Sequence, residues 1–145
     1  MARIQLHFQG DEVYNTQLQI RVSELNYGNH LGNDSLLGLM QEARVQYFNS
    51  LGQTEKDFYG VGIIMSDVAV VYKSEGFGGN EIQFDIALSD FSPKGFDMYY
   101  NIYNNTTQKQ LAIAKTGIVC FDYSIRKAVN LPEIFLSQLG LSHRY

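Results

Sequence analysis

An α+β fold, one long helix packed on a single antiparallel sheet, is predicted by three features of the chain. Residues 34–51 carry a sustained helical period. Four strand-like segments follow it, separated by turn chemistry. Ahead of the helix stand two shorter alternating runs and an irregular stretch rich in glycine and asparagine. A sheet wrapped around one central helix satisfies this order with the fewest elements.

Each element has its own signal. Residues 3–9 alternate, with Ile4, Leu6 and Phe8 on one face, and Gly10-Asp11 marks a turn. In the next run Leu18, Ile20 and Val22 oppose Gln17, Gln19 and Arg21. Both read as half-buried strands. Residues 26–33, NYGNHLGN, combine two glycines, three asparagines and a histidine, a composition no regular element tolerates. In the helix, Leu36, Met40, Ala43 and Tyr47 recur at spacings of three and four, and Leu37, Leu39 and Phe48 widen the stripe. Asn33, Asp34 or Ser35 can cap its start, and Gly52 can end it. The nearly continuous apolar run 63–72 predicts a strand buried on both faces. Segments 82–88 and 96–103 alternate, and 111–123 is mostly apolar. Between them GFGGN, SPKG and NNTTQ are turn sequences, and a short helix over 132–139 opens on Pro132.

Composition bounds the function. The 145 residues are 45% hydrophobic and 18% charged, ordinary for one globular domain spanning 1–145. A net charge of −4 without a Lys/Arg cluster argues against nucleic acid or an anionic membrane as the main partner. The lone cysteine, Cys120, lies in an apolar run with no basic neighbour, which fits a reduced core thiol rather than a nucleophile. The N-terminus lacks the apolar region of a signal peptide, and no apolar stretch reaches the ~20 residues of a membrane helix. A cytoplasmic protein is expected. There is no P-loop, no GxGxxG after a strand and no metal-ligand spacing, so neither a metal nor a resident cofactor is expected.

The segment Glu24-Leu25-Asn26-Tyr27-Gly28-Asn29-His30-Leu31-Gly32-Asn33, followed by DSLLGLMQEAR, resembles a signature of the acyl-CoA thioesterases of the hotdog fold, in the 4-hydroxybenzoyl-CoA and acyl-ACP thioesterase-like branch. Glu42-Ala43-Arg44 falls at the distance of that branch's E-A-R, and the resemblance runs over roughly 13–130. It implies a long central helix wrapped by an antiparallel sheet, hydrolysis of acyl-CoA or acyl-ACP thioesters, and a homodimer or homotetramer with sites between subunits. Exposed strand edges in so small a sheet give an independent reason to pair. The branch often carries its catalytic aspartate where this chain has Asn26, and an amide has no useful basicity. The glycine that usually precedes the histidine is Asn29.

Thioester hydrolysis needs donors for the developing oxyanion, a base to activate water, and a slot for the acyl group. A glycine-rich turn feeding a helix offers the donors, and in other enzymes losing one such donor costs ~3–4 kcal/mol. Gly28 and Gly32 would let amides approach a ligand or simply make a tight turn, with Tyr27 and Asn33 beside them on the substrate side. His30 and Asn26 could hold the carbonyl; His30 could equally act as base, because imidazole generally titrates near neutrality. Four carboxylates compete for the missing acid. Asp34 is also a natural helix cap, and Glu24 a natural partner for a loop salt bridge. Glu42 sits beside the apolar stripe, with Arg44 or Arg21 as possible partners. Asp67 interrupts the apolar run, where burial would raise its pKa and suit a base, unless a bulge exposes Ser66-Asp67 to water. The acyl group would run along Leu36, Met40 and Met65, with Lys73, Lys94, Lys115 and Arg126 as candidates for the coenzyme A phosphates. The rival reading is a hotdog module that binds acyl thioesters without hydrolysing them, and Asn26 is the residue that favours it.

Overall fold

The computed structural model describes residues 1–141, so the last four positions of the expected 1–145 domain lie outside the described residues. Elements run β1 (Asp11–Gln19), a single 3-10 turn (Val22–Glu24), α1 (Asn33–Ser50), β2 (Gly62–Tyr72), β3 (Glu81–Ser92), β4 (Gly95–Asn104), β5 (Lys109–Asp122), β6 (Lys127–Ala128) and α2 (Glu133–Gln138). The main path of the sheet is β1-β3-β4-β5-β2, antiparallel throughout, with β6 added to β5. This is the hotdog arrangement: one long helix held by a curled antiparallel sheet.

Periodicity explains the packing. On β3 and β4 alternate residues Phe84, Ile86 and Leu88, then Met98, Tyr100 and Ile102, enter the core, as a two-residue period requires. Ala112 and Ala114 of β5 join them. Against them α1 contributes Leu36, Leu39, Met40, Ala43, Tyr47 and Phe48, the predicted stripe. Burying each large apolar side chain is worth roughly 1.5–3 kcal/mol. Leu37 is the exception; it stands exposed on the helix.

Among the described residues four polar or charged side chains are buried: Glu24, Arg44, Asn104 and Thr116. Arg44 donates from Nε to Glu55 Oε1 at 2.7 Å and from Nη1 to the Tyr100 hydroxyl at 3.1 Å, and that hydroxyl lies 2.9 Å from Thr116 Oγ1. The chain of bonds ties α1 to β4 and β5. Burial would push the Arg44 guanidinium down, but Tyr100 and Glu55 outweigh it and hold it above its ordinary value. Cys120 is buried, and desolvation pushes its thiol up to about 11, which makes it a core residue and a poor nucleophile.

Three sequence expectations are corrected. Residues 3–9 form no strand, and the first strand begins only after Gly10, whose φ of +100° makes the turn. With no partner edge assigned to it, alternation alone cannot make a strand. The run 63–72 is not buried on both faces: β2 pairs only with β5, and Met65, Val68 and Tyr72 are exposed on it. An apolar edge strand and a central strand look alike in sequence. Finally, Gly32 occupies the N-cap of α1 and no side chain caps it, so none of Asn33, Asp34 and Ser35 is the cap.

Candidate active site

The NYGNHLGN loop is organised by its first residue. Asn26 Oδ1 accepts the main-chain N–H of Gly28 at 2.9 Å and of His30 at 3.2 Å. The Asn26 N–H donates to the His30 carbonyl at 2.8 Å, closing the loop on itself. Asn29 sits between them at φ +62°, a left-handed conformation that asparagine tolerates better than other side chains, so it can stand where the resemblance has glycine. Gly28 leaves room: a Cβ there would lie 3.2 Å from His30 Cδ2 and 3.4 Å from Asn26 Oδ1.

A second loop, between β2 and β3, docks on the first. Leu31 N–H donates to the Gly76 carbonyl at 2.8 Å, and His30 bridges Phe77. Where the two loops meet the start of α1 lies a groove of about 540 Å³, lined by Asn26, Gly28, His30, Gly32, Asn33 and Leu36 from one side. Tyr72, Ser74, Glu75, Gly76 and Leu111 line the other. The Tyr72 hydroxyl donates to the Asn33 carbonyl at 3.0 Å and so pins the helix start to the edge strand.

The expected donors are redistributed. The amide of Gly28 is spent on Asn26, and that of Gly32 donates to the Glu24 carbonyl at 2.9 Å. Asn33 Oδ1 takes the Asp34 N–H at 2.9 Å, and Leu36 N–H bonds Gly32 O. Among the described residues this leaves the first-turn amides of Asn33 and Ser35 without partners. They carry the partial positive charge of an 18-residue helix.

The competing carboxylates separate in space. Asp67 lies at a bulge in β2, exposed, with Oδ1 2.7 Å from Lys115 Nζ and accepting the Gly117 N–H at 3.0 Å. Lys115 draws its carboxyl below the usual range, the reverse of the raised pKa expected from a buried run, because the bulge carries it into solvent. Gly117 permits this, since a Cβ there would stand 2.6 Å from Asp67 Oδ1. Glu24 is buried and engaged by Arg21, whose N–H and Nε donate at 2.7 and 2.8 Å. Glu42 pairs with neither Arg44 nor Arg21; it accepts from Gln46 at 3.0 Å. It faces a second hollow of about 790 Å³ with Arg21, Glu24, Ser35 and Leu39. That hollow is the larger, but the NYGNHLGN loop contributes no residue to its lining. Asp34 is exposed at the helix start and does not line the groove.

Of the remaining positions, Tyr27 is fully exposed at the loop tip. Met40 is sealed in the core, while Met65 lines a separate cavity of about 40 Å³ with Arg44 and Ile63, so only Leu36 of the expected acyl path reaches the groove. Lys73 follows Tyr72, exposed and outside the groove lining. The residue that sequence reasoning missed is Glu75. Its Oε1 lies 3.2 Å from His30 Nδ1, and it is the only carboxylate among the groove's described residues. Forty-five positions separate the two in sequence, and no local pattern joins them. No cluster of potential metal ligands and no helix long and apolar enough to cross a membrane occurs among the described residues.

A hotdog sheet with a groove opening on the start of its helix defines the class, an enzyme of the thioesterase type. The chain belongs to the thioesterase-like superfamily, whose family model matches residues 20–139. It is 30% identical over 108 residues to a 1,4-dihydroxy-2-naphthoyl-CoA hydrolase from Microcystis aeruginosa (strain NIES-843 / IAM M-2473), covering 72% of this chain and 77% of that protein. Among solved structures it is similar to a 1,4-dihydroxy-2-naphthoyl-CoA thioesterase from Synechocystis, with TM-score 0.78 and 16% identity, over 90% of this chain and 96% of that one. A Staphylococcus aureus protein solved in complex with CoA matches with TM-score 0.80 and 11% identity, over 96% and 89%. These structural likenesses establish the fold.

Proposed function

We propose that the protein hydrolyses acyl-CoA thioesters, releasing a free acid and coenzyme A, in the groove between the NYGNHLGN loop and the β2–β3 loop. The observation that carries the reading is the unspent amide of Asn33, which lines that groove at the positive end of α1; the free amide of Ser35 lies on the side of the second hollow. An oxyanion is the ligand such a donor suits, because it is fixed before the reaction and carries positive potential. Membership of the superfamily and the activity named for the Microcystis relative support the same chemistry and favour coenzyme A over a carrier protein. Leu36 and Leu111 supply an apolar wall for the acyl group, and Tyr72 an aromatic one.

The same proposal includes a homodimer built on β2. This strand leaves one edge unpaired and displays Met65, Val68 and Tyr72, which a second copy would cover. Tyr72 lies in both the edge and the groove, so pairing there would bring the partner to the site.

The test is thiol release from a panel of aromatic and aliphatic acyl-CoAs, with the matching carrier-protein thioesters in parallel. Turnover of at least one acyl-CoA above the uncatalysed rate is expected. If every thioester binds and none is cleaved, the protein is a binding module, as the amide at Asn26 would favour.

A further inference from the structure

We infer that His30 and Glu75 form the water-activating pair of this groove, with His30 as the base and Glu75 as the residue that positions it. The inference rests on the thioesterase reading above and supplies the acid that the chain lacks at Asn26.

The imidazole is held from several directions. The His30 main-chain N–H donates to Asn26 Oδ1 at 3.2 Å, and the imidazole ring lies 5.2 Å from that of Phe77 at 43°. Glu75 Oε1 sits 3.2 Å from Nδ1. A carboxylate at that nitrogen keeps the proton on Nδ1 and leaves the Nε2 lone pair bare. Among the described residues Nε2 has no partner, and both side chains line the groove. The other candidates are occupied or elsewhere: Asp67 by Lys115, Glu24 by Arg21, Glu42 in the second hollow. Glu75 reaches His30 only because the β2–β3 loop docks on the NYGNHLGN loop.

The step balances without any co-reactant beyond water. Nε2 takes a proton as the water oxygen bonds to the carbonyl carbon, and the negative oxygen is met by the free Asn33 amide at the helix start. When the tetrahedral species collapses the C–S bond breaks. The imidazolium returns its proton to the leaving sulfur, giving one acid and one thiol for one water consumed.

The experiment compares wild type with His30→Gln, His30→Ala, Glu75→Ala and Glu75→Asp on whichever acyl-CoA the wild type cleaves. Glu75 is exposed, so its variants are expected to fold, and melting curves check all four. His30→Gln should lose about 10²–10⁴-fold in kcat with little change in KM. Added imidazole should restore part of the His30→Ala rate. Glu75→Ala should lower kcat by roughly tenfold or more, with Glu75→Asp recovering part of it. Wild-type kcat in His30→Gln or Glu75→Ala overturns the inference and leaves the proposed function standing. So does a loss confined to KM, or one that imidazole does not restore, since His30 would then only hold substrate. A wild type that cleaves nothing overturns both.

Discussion

Asn26 Oδ1 accepts the His30 main-chain N–H at 3.2 Å, so the amide that stands where the resembled signature has an acid ties down the loop that presents the imidazole. A carboxylate could make the same two bonds, to Gly28 and His30, with one oxygen. The loop geometry therefore does not depend on the charge that the amide lacks.

The first prediction follows from that tie. Asn26→Asp should fold with stability within about 0.5 kcal/mol of wild type, because surface changes that keep their bonds cost little. Asn26→Ala leaves two N–H groups to water and should cost roughly 0.5–2 kcal/mol, by analogy with a lost helix cap, with a fall in kcat. Chemical denaturation and steady-state thiol release read the two effects separately. Equal stability of Asn26→Ala and wild type would show that the loop holds without its tie.

Arg44 should be the costliest polar side chain to remove. Arg44→Met leaves Glu55 and the Tyr100 hydroxyl without their cation, and breaking a buried pair costs about 3–5 kcal/mol. Glu55 is a third exposed, so a value toward the lower end is expected. Adding Glu55→Gln to Arg44→Met should recover part of the loss, since the stranded charge is gone. Urea unfolding of the two single variants and the double variant measures the coupling.

On the outer face of the sheet Lys115 sits between Asp67 at 2.7 Å and Asp97 at 3.3 Å. Its hydrogen bond holds Asp67 below its ordinary value, a contribution present at neutral pH and lost as pH falls through the lowered pKa. Asp97 is raised, by burial first and despite Lys115, so its charged form is already costly. Lys115→Met should therefore destabilise the protein at neutral pH. The deficit relative to wild type should shrink as acid neutralises both carboxylates. A deficit that is constant across the acid range would mean the lysine contributes through its aliphatic stem alone.

Edge pairing through β2 predicts a change of mass. Val68→Lys places a charge on the exposed apolar row of that edge, a common natural device against strand pairing. Sedimentation should report a dimer for wild type and a monomer for the variant, with lower kcat if the partner completes the site. A wild-type monomer at micromolar concentration would remove the dimer from the proposal.

Much of the fold was legible because periodicity reports burial directly. Leu36, Met40, Ala43 and Tyr47 could only share one face of a helix, and they do. The strand at 3–9 failed because alternation describes a possible face and says nothing about a partner. The edge position of β2 was illegible for a related reason: Val68 and Val70 look the same in sequence whether the second face meets a helix, a subunit or water. At the site, the loop was visible in its glycines and asparagines, but which amides stayed free was not. Gly28 and Gly32 looked like donors and turned out to be spent on Asn26 and Glu24.

The sequence by itself determined the class of fold, the loop at the start of the helix and the absence of an acid at Asn26, since each is a matter of local residue type and spacing. Only the tertiary structure decided which carboxylate meets His30. Glu75 comes from a loop forty-five residues away and arrives through the bond from Leu31 N–H to Gly76 O and the bridge from His30 to Phe77. The same holds for Asp67, which a bulge and the bare backbone of Gly117 turn from a buried acid into a solvated ion pair. In both cases the deciding contact lies between strands or loops far apart in the chain, where charge and solvent access depend on what the fold brings alongside.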